Sequence, residues 1–350
     1  MLKISIDAAE AFYKEVIETF ERKYPTLDNN GFSLIKVLHA FSDKVPLVRA
    51  LTNKGLLAGL TLKRSSSTFQ PSIVAQIYSE IRNIDIVISP TRDFYRVQKI
   101  AQQPVVIGDH GGYFASTIPE LLKSDSARLL GITEHTVNGE NRIEESISAN
   151  GLKIPFLSSA RSEVKNHSDT KIALNIVQEI VSRPEVNINK KVCIVGYGTM
   201  GRAAAIELTQ KGFDVHVFDT NSDRNLIAEA DDVAVSKDLQ SALSSSDIII
   251  LATDTIKGHG LVLDIEEYSV IKDGAVLTSM TSIDDEIDMA QFKEYGQHIN
   301  LLYKGCAPNN KLTNGGADDS IYFIEAIGIA SAFEIAGGRL KPQEKAQELS

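Results

Sequence analysis

The sequence is poor in cysteine and in long apolar runs, and it has no excess of basic residues. Only Cys193 and Cys306 occur among 350 residues, and neither suggests a disulfide framework or a metal site. No apolar run approaches the roughly 20 residues that span a bilayer, and the N-terminal segment lacks a signal-peptide core. A net charge of −10 disfavours nucleic acid and anionic membranes as partners. We therefore expect a cytoplasmic protein that holds no metal.

Apolar, strand-like runs alternate with amphipathic helical stretches along the whole chain. This alternation predicts an α/β fold with two Rossmann-like domains, mainly parallel sheets and a cleft between them. We expect a substrate-binding domain over residues 1–180, completed by the C-terminal helix in about 319–350, and an NAD-binding domain over 185–315. The C-terminal helix, predicted over 319–337, is apolar on most of its surface, so it is buried in the first domain or in a subunit interface. On that ground we predict a homo-oligomer.

Hydrophobic periodicity gives a coarse set of elements for each half. In the first half it predicts helices at about 7–24, 32–41 and 170–183, and strands at 57–62, 84–89, 105–108 and 128–131. In the second half it predicts strands at 192–195, 213–218, 232–236, 247–253, 274–280 and 300–304, with a helix at about 286–294. Six strands are the number expected of a doubly wound dinucleotide-binding domain.

The stretch KKVCIVGYGTMGRAAAIELTQKGFDVHVFD, residues 190–219, has the pattern of a dinucleotide-binding βαβ unit. Its G-x-G-x-x-G glycines follow a strand and open a helix, so the helix N-terminus is available to a pyrophosphate. Asp219 follows the second strand, where a carboxylate accepts hydrogen bonds from a ribose diol, and this favours NAD. The nearby Arg224 leaves NADP as an alternative. The other alternative is a Rossmann domain whose nucleotide site has decayed. The cofactor-binding residues predicted in this half are Gly196, Gly198, Thr199, Met200, Gly201, Asp219 and Thr253.

Four other segments combine ionisable and hydroxyl groups. Two of them are glycine loops that follow strands: residues 108–113, which contain Asp109 and His110, and residues 131–139. Each loop is either an acid–base site or a capped turn. In the segment 158–169, Lys165 and Asp169 share a helix face and form either a clamp for a vicinal diol or a surface ion pair. His39 lies in an apolar run predicted to be helical, where a structural histidine is the alternative to a catalyst.

The order and spacing of these segments resemble the S-adenosylhomocysteine hydrolase (adenosylhomocysteinase) family. The resembling pieces are VLHAFSDKVPLVRAL, DHGGYFA, GITEHTVNG, IPFLSSARSEVKNHSD, VCIVGYGTMG, SMTSIDDEID and KGCAP. The resemblance implies tightly held NAD, which oxidises the ribose 3′-hydroxyl and so acidifies the C4′ hydrogen. A base then removes that hydrogen, the 5′ group leaves, water adds, and the 3′-ketone is reduced again.

The resemblance assigns roles residue by residue. Lys165 and Asp169 match the hydroxyl-binding pair, and His39 matches a histidine near the leaving group. The catalytic residues it implies are Lys165, Asp169, His135, His110, Asp109 and His39. Thr136 and Asn138 match NAD contacts. The substrate-binding positions are Asp43, Ser67, Thr68, Glu134, Ser282 and Asn310.

Several of these positions depart from the family pattern. His110 and His135 replace a catalytic Asp and a catalytic Glu, while Ser282 and Asn310 stand where the family has histidines. Phe41 stands where a Thr is usual, and the family's C-terminal tail is not found. Imidazoles still exchange protons near neutral pH, so the pattern favours a working, divergent enzyme.

The main hypothesis is therefore an NAD-dependent adenosylhomocysteinase-like enzyme acting on a nucleoside-like small molecule. Transient 3′-oxidation would be followed by hydrolysis or elimination at C5′, or by a related dehydration or epimerisation. The alternatives are an NAD-dependent dehydrogenase of a small hydroxy or amino acid, and a non-catalytic protein that senses NAD or a nucleoside.

Overall fold

The computed structural model describes residues 4–27, 31–63, 71–81, 84–124, 127–253, 262–281, 286–311 and 319–348. The chain divides into two compact units. Unit 1 is Met1–His167 together with Asp318–Ser350, and unit 2 is Ser168–Ala317.

Unit 1 is built on a six-stranded, fully parallel sheet. The strands are β1 (Ser33–Leu38), β2 (Leu57–Leu62), β3 (Val105–Gly108), β4 (Leu129–Glu134), β5 (Phe156–Ser158) and β12 (Gln347–Glu348). They lie in the order β12-β5-β4-β3-β1-β2, so chain order reverses between β1 and β3, as in doubly wound sheets.

The helices of unit 1 cover both faces of this sheet and enclose two apolar cores. They are α1 (Ile6–Lys23), α2 (Val45–Asn53), α3 (Pro71–Glu80), α4 (Phe94–Ile100), α5 (Ile118–Leu122), α6 (Val137–Ala149) and the C-terminal helix α13 (Ser320–Ala336). Helix α7 (Glu163–Val181) begins in unit 1, and its larger part, from Ser168 onward, belongs to unit 2. Helix α13 packs on α1, β3 and β4. Its apolar surface is therefore largely buried within its own unit, as the buried Ile324, Ile329 and Phe333 show.

The helix predicted over 32–41 is wrong, because the chain there forms strand β1. Five of its six residues are buried, so the strand is apolar on both faces, as strands inside a parallel sheet are. A short, continuous apolar run does not distinguish a buried strand from a buried helix. His39 accordingly follows a strand and does not lie on a helix.

Two further strand predictions are wrong in part. Residues 84–89 begin with a 3₁₀ turn, Ile84–Ile86, and only Val87 bridges to the sheet, through Leu60. The strand predicted over 300–304 ends at Leu301, because Tyr303 and Lys304 take left-handed backbone angles with φ of 52° and 57°.

Unit 2 also contains a six-stranded parallel sheet, in the order β11-β10-β9-β6-β7-β8. Counted from β6, this is the 3-2-1-4-5-6 order of dinucleotide-binding domains. The strands are β6 (Lys191–Val195), β7 (Asp214–Phe218), β8 (Ala234–Val235), β9 (Ile248–Leu251), β10 (Val276–Ser279) and β11 (Asn300–Leu301). The helices are α8 (Thr199–Gln210), α9 (Ser222–Ala230), α10 (Leu239–Ser244), α11 (Ile265–Val270) and α12 (Met289–Tyr295). Two parallel α/β domains confirm the predicted fold class.

Within the described ranges, every helix is too short or too polar to cross a lipid bilayer.

Candidate functional site

The carboxyl edge of the unit 1 sheet brings two predicted histidines together. His39 follows β1 and His110 follows β3, so both lie where chain order reverses, the usual ligand position in such sheets. Their ring centroids are 4.9 Å apart in an edge-to-face arrangement, and His39 also stacks on Phe41 at 5.2 Å. Burial and the ammonium of Lys63 hold the pKa of each imidazole well below its usual value. Both rings are therefore neutral at pH 7.

Asp109 closes the loop that carries His110. Its carboxylate is fully buried and accepts hydrogen bonds from the backbone N–H groups of His110, Tyr113 and Phe114. Burial, reinforced by the charge of Glu134, raises the pKa of Asp109 to about 7. The geometry shows a capped turn, and the catalytic role predicted for Asp109 stays a prediction.

Glu134 ties the two glycine loops to each other. Its carboxylate accepts hydrogen bonds from the N–H groups of Gly111 and Gly112 in one loop, and of His135 and Thr136 in its own. A Cβ on Gly139 would lie 2.1 Å from Glu134 Oε2, so the bare glycine makes room for the carboxylate. All these contacts belong to the loops themselves, and the substrate contact predicted for Glu134 stays a prediction.

His135 lies deeper than the other two histidines. Its Nδ1 is 2.9 Å from Ser159 Oγ, and its Nε2 is 4.0 Å from Glu325 Oε2. Burial and the charge of Lys36 lower its pKa to about 3, so this ring is also neutral. A Cβ on Gly328 would lie 2.7 Å from its Cε1, so helix α13 presses on the ring.

A chain of four buried charges lies beneath these loops, and only its Asp43 was predicted from sequence. Lys44 is 2.8 Å from Asp43 and 2.9 Å from Glu325, whose other oxygen is 3.2 Å from Lys36. Although burial alone would raise it, the two lysines hold the pKa of Glu325 well below its usual value. Asp43 is paired with Lys44, and its predicted contact with a substrate stays a prediction.

The signal for the missed residues was a charge inside an apolar element. Lys36 is the one charge in SLIKVL, and Glu325 is the one charge in SIYFIEAIGIASAF. A buried charge needs a partner. Two such isolated charges of opposite sign therefore indicate that Lys36 and Glu325 form a pair.

Helix α7 carries the predicted diol clamp. Lys165 and Asp169 are four residues apart on one helix, so they share a face. Both side chains are half-buried and both take part in interactions of their own. The division between the units falls within this helix, after His167.

The glycine turn of unit 2 has the shape that a dinucleotide requires. A Cβ on Gly201 would lie 2.0 Å from Gly196 O, and one on Gly196 would lie 2.4 Å from Ala252 O. At Gly198, by contrast, the nearest atom is 3.7 Å away, in Arg224. Two glycines are thus needed for packing, and the third leaves an open surface at the N-terminus of α8. The turn fits a pyrophosphate.

Asp219 lies beside this turn at the end of β7. Its carboxylate accepts hydrogen bonds from the N–H groups of Tyr197, at 2.6 Å, and Asn221, at 2.8 Å, and Arg224 Nη1 is 3.4 Å away. The acid is therefore fixed by the turn itself. Thr199 begins α8, and Met200 packs on the core of the unit.

The remaining predicted residues divide into those with partners and those outside the description. Thr136 caps α6 through Gly139 N–H and donates to Glu134, and Thr253 is bound to the buried Glu286. Asn138 lies in the first turn of α6. Asn310 lies in the 3₁₀ turn Pro308–Lys311, its side chain outside the description. Ser67, Thr68 and Ser282 lie outside the described residues.

Comparison with known proteins identifies the family. Residues 174–314 match the family model described as S-adenosyl-L-homocysteine hydrolase, NAD binding domain. Adenosylhomocysteinase of Gloeothece citriformis is 25% identical over 82% of this chain and 66% of its own length. That of Sulfurisphaera tokodaii is 27% identical over 82% and 68%. The family match over residues 174–314 and these similarities support a divergent member of the adenosylhomocysteinase superfamily. Unit 2 is its NAD-binding domain, and the predicted cofactor is confirmed.

The similarity to these relatives does not cover their whole length. The match spans about two thirds of the length of these curated relatives. Among solved structures, a glyoxylate reductase from Paecilomyes thermophila aligns with a TM-score of 0.48 and 14% identity, over 89% of this chain and 98% of its own. A putative D-3-phosphoglycerate dehydrogenase from Ralstonia solanacearum aligns with a TM-score of 0.44 and 13% identity, over 87% and 92%.

Proposed function

We propose that this protein is an NAD-dependent enzyme that acts on a ribonucleoside-type small molecule by transient oxidation at C3′. Hydrolysis or elimination at C5′, or a related dehydration or epimerisation, then follows. The observation that carries the proposal is the pair of neutral histidines, His39 and His110, at the β1/β3 reversal point of unit 1. The chain's other unit is an NAD-binding domain of the adenosylhomocysteinase superfamily.

The glycine turn 196–201 would hold the pyrophosphate of NAD, and Asp219 would accept hydrogen bonds from its adenosine ribose. When bound, NAD supplies reversible oxidation of a hydroxyl-bearing carbon. Lys165 and Asp169, on one face of α7, would hold the substrate hydroxyls through an ammonium and a carboxylate. Holding both hydroxyls fixes which carbon is oxidised.

His110 would move a proton on the 5′ side of the substrate. A base must be unprotonated before it accepts a proton, and the lowered pKa of His110 keeps its imidazole in that form at neutral pH. Asp109 fixes the backbone of His110 through the N–H bond, so the base is held in place. His39 supports the ring edge-to-face at 4.9 Å.

The proposal is tested by incubating the NAD-loaded protein with adenosine and with adenosylhomocysteine. We expect the near-ultraviolet absorbance of reduced nicotinamide to appear on the protein, with no more than one equivalent per site. Lys165→Met should slow its appearance about 100-fold, because hydroxyl activation is lost. Lys171→Met removes an ammonium from another face of the same helix and should leave the rate unchanged.

Two results would contradict the proposal. One is the absence of cofactor reduction by every nucleoside tried, although NAD is bound. The other is continuous release of reduced cofactor with a small hydroxy acid, since a simple dehydrogenase does not recycle its cofactor.

A further inference from the structure

Three contacts join two short segments of unit 1. One segment, 159–162, leads into helix α7, and the other, 134–140, runs from the end of β4 into α6. In the first segment, Ser159 donates its backbone N–H to the carbonyl oxygen of Glu134 at 3.0 Å. The second contact joins Ser159 Oγ and His135 Nδ1 at 2.9 Å. Both contacts fix the beginning of the segment that precedes α7.

The third contact is an ion pair between Arg161 and Glu140. Glu140 lies in the first turn of α6 and is only 4% exposed, and its Oε1 is paired with the guanidinium of Arg161. Its Oε2 is buried and has no hydrogen-bond partner among the described residues. The same guanidinium lies 3.8 Å from the exposed Glu348. Because a buried carboxylate needs a counter-charge, Glu140 holds Arg161 in place more firmly than an exposed partner would.

Ser162 connects this anchored segment to Lys165. Its backbone N–H and its hydroxyl both donate to the carbonyl oxygen of Ser159, at 3.1 Å and 2.8 Å. Its Oγ in turn accepts the N–H of Lys165 at 3.3 Å, and its carbonyl oxygen accepts the N–H of Asn166 at 2.9 Å. The first turn of α7 therefore starts from a residue that is bonded on both sides, next to Arg161.

We propose that Arg161, through its ion pair with Glu140, is a positioning residue for Lys165. The inference rests on the proposed function, in which Lys165 holds a substrate hydroxyl. Arg161 acts on the backbone from which α7 starts, and the ammonium of Lys165 is carried by the first turn of that helix. A misplacement of about 1 Å in such a group can slow a reaction about 100-fold, so the anchor matters for the rate.

A pair of variants separates positioning from stability. Arg161→Gln leaves Glu140 buried without a counter-charge, so it should lower the thermal unfolding temperature and also slow cofactor reduction. Glu140→Gln combined with Arg161→Gln removes both charges and should recover most of the lost unfolding temperature. At saturating NAD and adenosine, cofactor reduction in this double variant should still be at least about tenfold slower than in the wild type, because the anchor is absent. Full recovery of the rate would overturn the inference.

Combination with Lys165→Met tests whether Arg161 acts through Lys165. If it does, adding Glu140→Gln and Arg161→Gln to Lys165→Met should slow cofactor reduction no further, because the group that the anchor positions is already gone. Slowing by the product of the two separate factors would show that Arg161 acts elsewhere, and it would overturn the inference.

Arg96→Gln is the matched control. The side chain of Arg96 is 41% exposed, as is that of Arg161, and it is paired with the carboxylate of Asp85 at 2.8 Å. That carboxylate is itself 75% exposed, and neither partner belongs to the two joined segments. The substitution should leave both the unfolding temperature and the rate of cofactor reduction unchanged.

Amide hydrogen exchange tests the anchor without turnover, so the inference and the proposed function can fail separately. In the full-length protein, the N–H groups of residues 159–167 should exchange about tenfold faster in the double variant Glu140→Gln/Arg161→Gln than in the wild type. Unchanged exchange would overturn the inference while leaving the proposed function intact. If the wild type binds NAD and adenosine but reduces no cofactor, the proposed function fails, and faster exchange in the double variant would still support Arg161 as the residue that holds the start of α7.

Discussion

At the scale of single residues, the most consequential group is Glu325, which neutralises two lysines inside unit 1. It lies within 3.2 Å of Lys36 and 2.9 Å of Lys44, and Lys44 is also paired with Asp43. Charges in such a chain are stable only while their number balances. The arrangement therefore allows a test in which removing two groups costs less than removing one.

Glu325→Gln should destabilise the protein by about 3–5 kcal/mol, because it leaves Lys36 buried without a counter-charge. Adding Lys36→Met should recover part of that loss, since Asp43 and Lys44 then remain as a balanced pair. Urea unfolding of the two single variants and the double variant measures the coupling. Glu334→Gln, on the same helix but paired with the exposed Lys23, is the control and should cost much less. If the loss of unfolding free energy in the double variant equals the sum of the losses in the two single variants, the charges do not balance each other.

Asp109 should make stability fall as pH rises. Its folded-state pKa of about 7 is above the unfolded value, so its contribution is fully present below the unfolded pKa and is lost as pH rises through 7. Between about pH 5 and pH 8, the wild-type protein should lose on the order of 2 kcal/mol more than Asp109→Asn. Urea unfolding at both pH values measures the difference, and parallel pH profiles would show that the pKa is not raised.

At the scale of elements, the glycines in the βαβ unit of residues 191–218 have two different roles, one in packing and one in cofactor binding. Gly201 has no room for a Cβ because of Gly196 O, whereas Gly198 faces open space. The same substitution should therefore have different effects at two positions of one turn.

Gly201→Ala should lower the free energy of unfolding by roughly 1–3 kcal/mol through overpacking. Gly198→Ala should leave stability within about 0.5 kcal/mol but weaken NAD binding at least tenfold, because the methyl group occupies the pyrophosphate position. Thermal unfolding and NAD titration together decide this. Equal stability losses in the two variants would show that the turn is differently packed.

The elements also show what sequence can and cannot predict. The strands 57–62 and 105–108 were predicted with their observed bounds, since turn-forming residues flank them. Strand β1 was predicted as a helix because its burial on both faces removes the alternation that marks a strand. The Lys36–Glu325 pair was missed for another reason: each charge stands alone in its apolar element, and neither element by itself shows that a distant part of the chain supplies the partner.

At the scale of the whole molecule, the chain contains two parallel sheets that differ in strand order. The order in unit 2 is that of a dinucleotide-binding domain, and the order in unit 1 places His39 and His110 at a reversal point. The family match over residues 174–314 confirms the predicted cofactor, and together with the similarity to adenosylhomocysteinases it supports the predicted superfamily. The roles of the individual site residues stay predictions, because they depend on a bound substrate.

The proposed function requires that the protein transiently oxidise a nucleoside at C3′ and move the neighbouring C4′ proton. Its most direct test is hydrogen exchange at C4′ of adenosine incubated with the NAD-loaded protein in deuterium oxide. We expect the recovered nucleoside to gain one deuterium at C4′, with the gain strongly reduced in Lys165→Met and absent without NAD. Adenosine recovered without deuterium from protein that holds both NAD and nucleoside would contradict the account.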